Sequence, residues 1–386
     1  MAAFSLRRFT KPETLRLMSR EHLLALLSPY RDYFASRGLT VPGHGENTPL
    51  DCDRLVAVFL SPDMAMPMEL VESLYLINEL ATPKGMDAIL REARGEGIHL
   101  SLPWKPTAMD VAICAFLADR NLLERIHHQH AMLKRRTFMY FRTLETPPAL
   151  DAAKIQEALP SLEKELDDYF YEHNRGRHCH VYHFEHDGAF WLTVRHGDVF
   201  RREVSVEDAK TVTFVFRPEC FNTVVYASSE GELRVYAGSD EERDMYRRVI
   251  GERLFGSEFT FWGADKYSCE PLRIQGPSAL AVTDVTGIEW ARLTEVKCEQ
   301  KRKQRRVLLS RSSSDLFEGA TSWREWFPDD AQIVRASFKV KFRHARSPQS
   351  ISLCPPNVAT YSQDGDCALT ERWLRARGFI RTGAAT

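Results

Sequence analysis

The sequence predicts an α+β protein with a helical N-terminal region, a central, mostly antiparallel β-sheet domain with a packing helix, and a basic C-terminal α+β part. Three observations predict this class. Apolar residues recur at helical spacing in the first third of the chain, six β-rich runs follow between residues 177 and 238, and the last hundred residues combine alternating strands with clustered Lys and Arg. The predicted domains are 1–146, 147–270 and 271–386.

The N-terminal region is predicted to be helical because its apolar residues repeat every three to four positions, as in the run from Pro12 to Arg37. Thr82-Pro83 is typical of an N-cap followed by a proline in the first turn. Thr107 and Asp110 resemble a capping box. Thr146-Pro147-Pro148 marks the end of the region, since consecutive prolines cannot continue a helix.

The central region is predicted to be a sheet of consecutive strands. Asp187-Gly188 between two β-rich runs indicates a two-residue hairpin turn of type I′, in which both residues have positive φ. A helix opened by Ser239-Asp240 and ended by Gly256 is expected to pack on one face of this sheet. The predicted strands are 177–185, 189–195, 199–206, 212–217, 223–228 and 232–237.

The C-terminal part is predicted to hold four strands, at 288–298, 307–310, 334–342 and 349–353, and a last helix that opens near Gly365. The third of these strands alternates clearly. Phe338 and Val340 should face one side, and Lys339 and Lys341 the other, because the side-chain period of a strand is two.

Charge is unevenly distributed along the 386 residues. The formal net charge is -1, but residues 287–386 contain 18 Lys and Arg against 11 Asp and Glu, a net of +7, so the rest of the chain carries -8. Such asymmetry between parts of a chain indicates an anionic partner for the basic part.

The eight cysteines form no C-x-x-C pair, which argues against a zinc ribbon and a disulfide framework. The N-terminus lacks the apolar stretch of a signal peptide, and the longest apolar run, Val111–Ala118, is too short to span a bilayer. We therefore expect a cytoplasmic protein that does not enter the membrane.

A histidine cluster between residues 173 and 186 is the first candidate for chemistry. His178 and His180 would project from the same strand face and could ligate zinc or copper. The alternative is a histidine-rich strand edge without metal. The sequence does not identify a cofactor.

Asp284, Glu295 and Lys297 form the second candidate. An upstream Asp followed by Glu-x-Lys on a strand is the layout of one large class of Mg²⁺-dependent nucleases, in which the carboxylates hold the metal and the lysine helps to deprotonate water. The alternative is a solvated strand edge with cross-strand ion pairs.

The third candidate is a phosphate-binding surface in the basic part. Clustered Lys and Arg on strands and a helix suit a polyanion. The predicted nucleic-acid-binding residues are Arg302, Lys303, Arg305, Arg306, Lys339, Lys341 and Arg343.

The motifs of P-loop, dinucleotide-binding, nucleophile-elbow and zincin proteins are missing. The sequence therefore favours a nucleic-acid-associated binding or regulatory component of a larger assembly, as in prokaryotic antiviral genome defence. DNA or RNA would bind the C-terminal basic part, and a protein partner would bind the helical N-terminal region. The alternatives are a metal-dependent hydrolase and a purely structural assembly subunit.

Overall fold

The computed structural model describes residues 6–43, 45–63, 65–133, 136–143, 149–207, 210–302, 305–320, 322–363 and 365–381, with the backbone alone at 207, 301 and 302. The predicted α+β class is confirmed, since the chain is 41% helical and 26% strand. The chain divides into two compact units, residues 1–131 and 132–386.

Unit 1 is helical and has its own apolar core, contributed by leucines and isoleucines of every one of its longer helices. The predicted capping box is confirmed, because the Thr107 side chain accepts from the Asp110 N–H while the Asp110 carboxylate accepts from the Thr107 N–H. The helices are α1 Pro12–Leu17, α2 Arg20–Leu27, α3 Arg31–Ser36, α4 Cys52–Leu60, α5 Met68–Leu80, α6 Pro83–Gly95, α7 Ala108–Ala118 and α8 Arg120–Leu133, the last of which continues into unit 2.

Unit 2 is built on strands, with four α-helices among its described residues. These are α9 Ala152–Glu172, α10 Asp240–Phe255, α11 Glu270–Gln275 and α12 Cys367–Ala376. The strands are β1 Thr137–Arg142, β2 His180–His186, β3 Ala189–Gly197, β4 Arg201–Glu207, β5 Lys210–Phe216, β6 Glu219–Ala227, β7 Glu232–Tyr236, β8 Ile288–Arg302, β9 Arg305–Ser312, β10 Ala331–Phe342, β11 Gln349–Cys354 and β12 Val358–Thr360.

Ten of these strands form one sheet in the order β2-β3-β6-β7-β1-β12-β11-β10-β8-β9. Every pairing recorded in this sheet is antiparallel. The predicted hairpin turn is confirmed, because Asp187 and Gly188 have φ of 50° and 70° and His186 pairs with Ala189.

The structure corrects the predicted organisation in three places. β1 lies in the region predicted to be helical, because the apolar run that ends that region pairs with β7 and β12. The predicted boundary at residue 270 falls inside unit 2, where strands from both sides of it share the one sheet. β4 and β5 pair only with each other and form a separate two-stranded ribbon.

Phe338 and Lys339 are consecutive residues of β10 and project from opposite sides of the ten-stranded sheet. We call these two sides the Phe338 face and the Lys339 face. The Phe338 face is covered by a core that includes residues of α11 and α12. The Lys339 face is covered by α9 and α10 over β2, β3, β6 and β7, which confirms the predicted packing helix. Over β11, β10 and β8 the Lys339 face carries mainly polar side chains, most of which reach solvent.

Candidate functional site

Basic residues from two neighbouring strands line up on the uncovered part of the Lys339 face. Lys339 lies directly opposite Arg292 on β8 and Ser350 on β11. Arg335 lies opposite Lys297 in the same sheet. Because residues directly opposite each other in antiparallel strands project from the same face, these side chains form rows across β8 and β10.

Two carboxylates lie near these cations, and one of them, that of Asp315, is 3.6 Å from Arg292 Nε. The other is that of Glu295. It is 3.2 Å from Lys297 Nζ and 3.3 Å from Arg335 Nε, and Ser337 donates to it at 3.2 Å. Burial alone would raise the pKa of Glu295, but the hydrogen bonds from Lys297 and Ser337 and the charge of Arg335 outweigh it and lower the pKa. A single ionised carboxylate facing two cations leaves this row positive.

Several cations on or beside this face have no carboxylate partner. Lys339 is exposed and donates to Ser350 Oγ at 2.7 Å, and it takes part in no ion pair between described residues. Arg343 is likewise exposed and outside every ion pair formed within the described part of the chain. Arg305 is also exposed and in no ion pair between described residues, but it precedes Arg306 in β9 and therefore projects from the Phe338 face. Their positive charge is therefore available to a partner.

The predicted nucleic-acid-binding residues fall into two groups at opposite ends of β8. Lys341 pairs with Trp290 near its start, while Arg305 pairs with Arg302 at its far end. Twelve residues of strand separate the two ends, which corresponds to about 40 Å. Lys303 lies outside the described residues. The two groups are thus separate in space rather than one patch.

Further cations fill the interval between these groups on the Lys339 face. Arg306 pairs in register with residue 301, so it projects from the same face as Lys297. Its Nε lies 3.3 Å from a carboxylate oxygen of Glu299. Near the other end Arg292 stacks at 4.7 Å over the ring of Trp290. We call the resulting line of cations the basic track; its members are Arg306, Lys297, Arg335, Arg292, Lys339 and Lys341.

The structure brings only two of the three nuclease-like residues together. Glu295 and Lys297 form an ion pair on the Lys339 face, whereas Asp284 pairs with Arg377 at the end of α12. α12 packs on the Phe338 face, where the ring centroids of Trp373 and Phe338 are 5.6 Å apart. The two carboxylates therefore belong to opposite sides of the sheet and do not form a shared metal site.

The two predicted histidine ligands do not form the expected pair on one strand face. β2 begins only at His180, and His178 precedes it with a φ of 83°, so strand alternation does not extend to His178. His180 Nδ1 lies 2.7 Å from a carboxylate oxygen of Glu163.

Within the described residues, one group of three acidic, His or Cys side chains is close enough to hold a metal ion, namely Glu230, Glu232 and Glu371. Lys266 Nζ lies 2.7 Å from Glu232 and 2.9 Å from Glu371, and Arg234 donates to Glu232 at 2.8 Å. These cations already neutralise two of the three carboxylates. The group is therefore a buried ion-pair cluster, which we call the Lys266 cluster.

Sequence reasoning missed Arg335 and Arg292 as members of the track. The alternation that places Lys339 and Lys341 on one face extends back to Ser337 and Arg335, so Arg335 could have been found from β10 alone. Arg292 could not, because its position depends on the register between β8 and β10 and on the bulges in it.

No family model matches the chain, and no curated protein matches it. None of the described helices is long and apolar enough to cross a membrane. The assignment of a function therefore depends on the chemistry of the surfaces described above.

Proposed function

We propose that this protein is a nucleic-acid-binding component of a larger assembly and that the basic track is its binding surface. The observation that carries the proposal is the row of cations along one uncovered face of β8 and β10. A line of Lys and Arg about 40 Å long matches a polyanion that extends in one direction better than a compact ligand.

The spacing of the track favours contact with a phosphate backbone rather than with base edges. Alternate residues on a strand are about 6.7 Å apart, which is close to two base-pair steps of a duplex at about 3.4 Å each. The members of the track lie on paired strands of the sheet and not on a helix that could enter a groove. Binding should therefore depend weakly on sequence and strongly on salt.

Unit 1 supports the second part of the proposal, a protein partner. Trp104 is 93% exposed, and Leu17, Leu60 and Met68 are also largely exposed. Trp and Met are enriched in protein interfaces relative to the rest of the protein surface. In this proposal unit 1 contacts the assembly and unit 2 contacts the nucleic acid.

Salt-dependent binding to labelled duplex DNA and single-stranded RNA tests the proposal. With six cations in the track, the slope of log K against log salt should be roughly -5 on duplex, since each phosphate contact contributes about -0.9. The double variant Lys339→Gln/Arg306→Gln removes one cation from each half of the track and should make the slope about 1.8 less steep.

The matched control is Arg94→Gln/Lys164→Gln, which removes the same charge from exposed helix positions on α6 and α9. It should bind like the unaltered protein at every salt concentration. Equal losses in the two double variants would show that only net charge matters, and the basic track would not be the binding surface. Absence of binding at low salt would reject the proposed function.

A further inference from the structure

A cavity of about 210 Å³ opens into the Phe338 side of the sheet, away from the basic track. Its walls come from the β2–β3 turn, from the segment Ser228–Glu230 that precedes β7, and from the first turns of α12. This volume corresponds to about seven water molecules. It suits one small ring system and is too small for a dinucleotide.

Arg234 is one of the buried polar side chains that line the cavity. Its Nε donates to Glu232 and its Nη1 donates to Gln363 at 3.1 Å. The remaining nitrogen, Nη2, is 3.8 Å from Glu371 and 3.9 Å from Glu230, and both distances are longer than a hydrogen bond. Two of the three guanidinium nitrogens thus hold the side chain in place, and the third can donate to a ligand.

Glu230 lies at the mouth of the cavity with 35% of its side chain exposed. Its nearest cations, Arg375 and Arg234, are 3.8 Å and 3.9 Å away, and no hydrogen bond to its carboxylate is formed within the described part of the chain. Burial and the neighbouring carboxylates of Glu371 and Glu232 raise the pKa of Glu230. An acceptor therefore stands beside the available donor of Arg234.

The cavity also has an aromatic wall and a second unsatisfied nitrogen. The rings of His186 and Trp191 both line it, with their centroids 6.4 Å apart. His186 Nε2 is buried and makes no hydrogen bond among the described residues, although a carboxylate oxygen of Asp187 lies 3.4 Å from it. A buried nitrogen of this kind is normally satisfied, so a polar group of a ligand would complete the site.

The local charge selects among ligands. Lys266 and Arg234 are balanced by Glu232 and Glu371, so the buried charge is already neutral. An anion entering the cavity would meet the carboxylates of Glu230 and Glu371, and a cation would meet Arg234. A neutral ligand that offers both an acceptor and a donor avoids these electrostatic penalties.

We propose that this cavity binds a small, neutral, planar heterocycle that presents a carbonyl oxygen beside an N–H, the edge that uracil and hypoxanthine share. Arg234 Nη2 donates to the carbonyl oxygen, Glu230 accepts from the N–H, and the rings of His186 and Trp191 form the wall against which the ligand lies. The site is independent of the proposed nucleic-acid surface, which lies on the opposite face of the sheet.

Calorimetric titration of the full chain with uracil, hypoxanthine and 1,3-dimethyluracil tests the proposal. Uracil or hypoxanthine should bind, and 1,3-dimethyluracil should bind at least tenfold more weakly than uracil, because it lacks both ring N–H groups. Glu230→Met removes the acceptor and should weaken binding of the preferred base at least tenfold.

Ala368→Leu provides a second test that leaves the polar groups unchanged. Ala368 is an exposed residue of α12 that lines the cavity, so a larger side chain there should block entry. Ala376→Leu, at an exposed position near the end of the same helix, is the matched control and should bind like the unaltered protein. Thermal melting of each variant establishes that it is folded.

Three outcomes would overturn the proposal. The first is that neither base binds. The second is that the folded Ala368→Leu variant binds as well as its Ala376→Leu control. The third is that inorganic phosphate, used as an anionic probe, binds and is lost in Ala368→Leu, since the cavity would then select anions rather than neutral rings.

Discussion

Charged residues on the two faces of the ten-stranded sheet behave in opposite ways. In the Lys266 cluster on the Phe338 side, Lys266 has a fully buried side chain and lies within 3 Å of two carboxylates. On the other face, Lys339 is exposed, and its Nζ donates to a serine hydroxyl. The positive charge of Lys266 is thus neutralised within the fold, whereas the positive charge of Lys339 remains available to a partner.

This difference indicates that the two faces contribute differently to stability and to binding. A buried charge costs free energy unless it is paired and hydrogen-bonded, and Tyr361 completes the pairing of Glu371 by donating to it at 2.7 Å. An exposed cation contributes little to stability because water and salt screen it. Substitutions should therefore separate the two faces by their effect on unfolding.

The largest effect is expected for Lys266→Met. Removing this ammonium leaves Glu232 and Glu371 buried with less positive charge, which should lower the free energy of unfolding by about 3–5 kcal/mol. Urea denaturation at neutral pH measures the change. The matched control Lys339→Met should change it by less than about 0.5 kcal/mol, and equal losses in both variants would remove the contrast between the two faces.

Acid should weaken the same cluster. Burial alone would raise the pKa of Glu371, but Lys266, Arg234 and the Tyr361 hydroxyl outweigh it and lower the pKa to about 2. A group with a depressed pKa contributes stability that is present above its unfolded value of about 4.3 and is lost as the pH falls toward the folded value. Between pH 7 and pH 3 we expect a loss of about 2 kcal/mol from this residue.

The contribution of Glu371 is isolated by comparison with Glu371→Gln. Unfolding free energies of both proteins are measured at pH 7 and pH 3, and the unaltered protein should lose about 2 kcal/mol more than the variant. Parallel pH profiles would mean that Glu371 titrates alike in the folded and unfolded states.

The turn beside the cavity tests backbone conformation apart from charge. Gly188 has a φ of 70°, and a Cβ added there would meet no atom within 4 Å. Gly188→Val should therefore cost about 1–3 kcal/mol through backbone strain alone, because a β-branched residue resists positive φ. Gly188→Asn, which tolerates this conformation, is the control in thermal melting, and a valine variant as stable as the asparagine variant would contradict the type I′ assignment.

The smallest effect on stability is expected for Arg343→Gln, at a cation outside every ion pair between described residues. Its unfolding free energy should stay within about 0.5 kcal/mol of the unaltered protein. A clear loss, measured by urea denaturation, would show that Arg343 has a structural partner and that its charge is not available for binding.

Local features of the fold could be predicted because they depend on neighbouring residues. The Asp187-Gly188 turn and the alternation of β10 arise from preferences within a few positions, and both agree with the structure. β1 escaped prediction because a short apolar run beside a helical region has no distinctive period. Its strand conformation depends on β7 and β12, which lie far along the chain.

Some features of the candidate sites could likewise be predicted from local sequence, and others depend on tertiary packing. Lys339 and Lys341 could be assigned to one face from β10 alone, while the separation of Asp284 from Glu295 depends on α12 packing against the Phe338 face. The Lys266 cluster left no signal in the sequence, since its members are up to 141 residues apart along the chain.

The sequence by itself determined the α+β class, the turn at Asp187-Gly188, and a C-terminal part rich in positive charge. Only the tertiary structure decided which charges are buried in pairs and which face solvent. The physical reason is that strand and turn preferences act over a few residues, whereas the environment of a charge is set by strand order and helix packing. β12 and α12, from the end of the chain, complete the sheet beside β1 and the Lys266 cluster, and no local pattern encodes that juxtaposition.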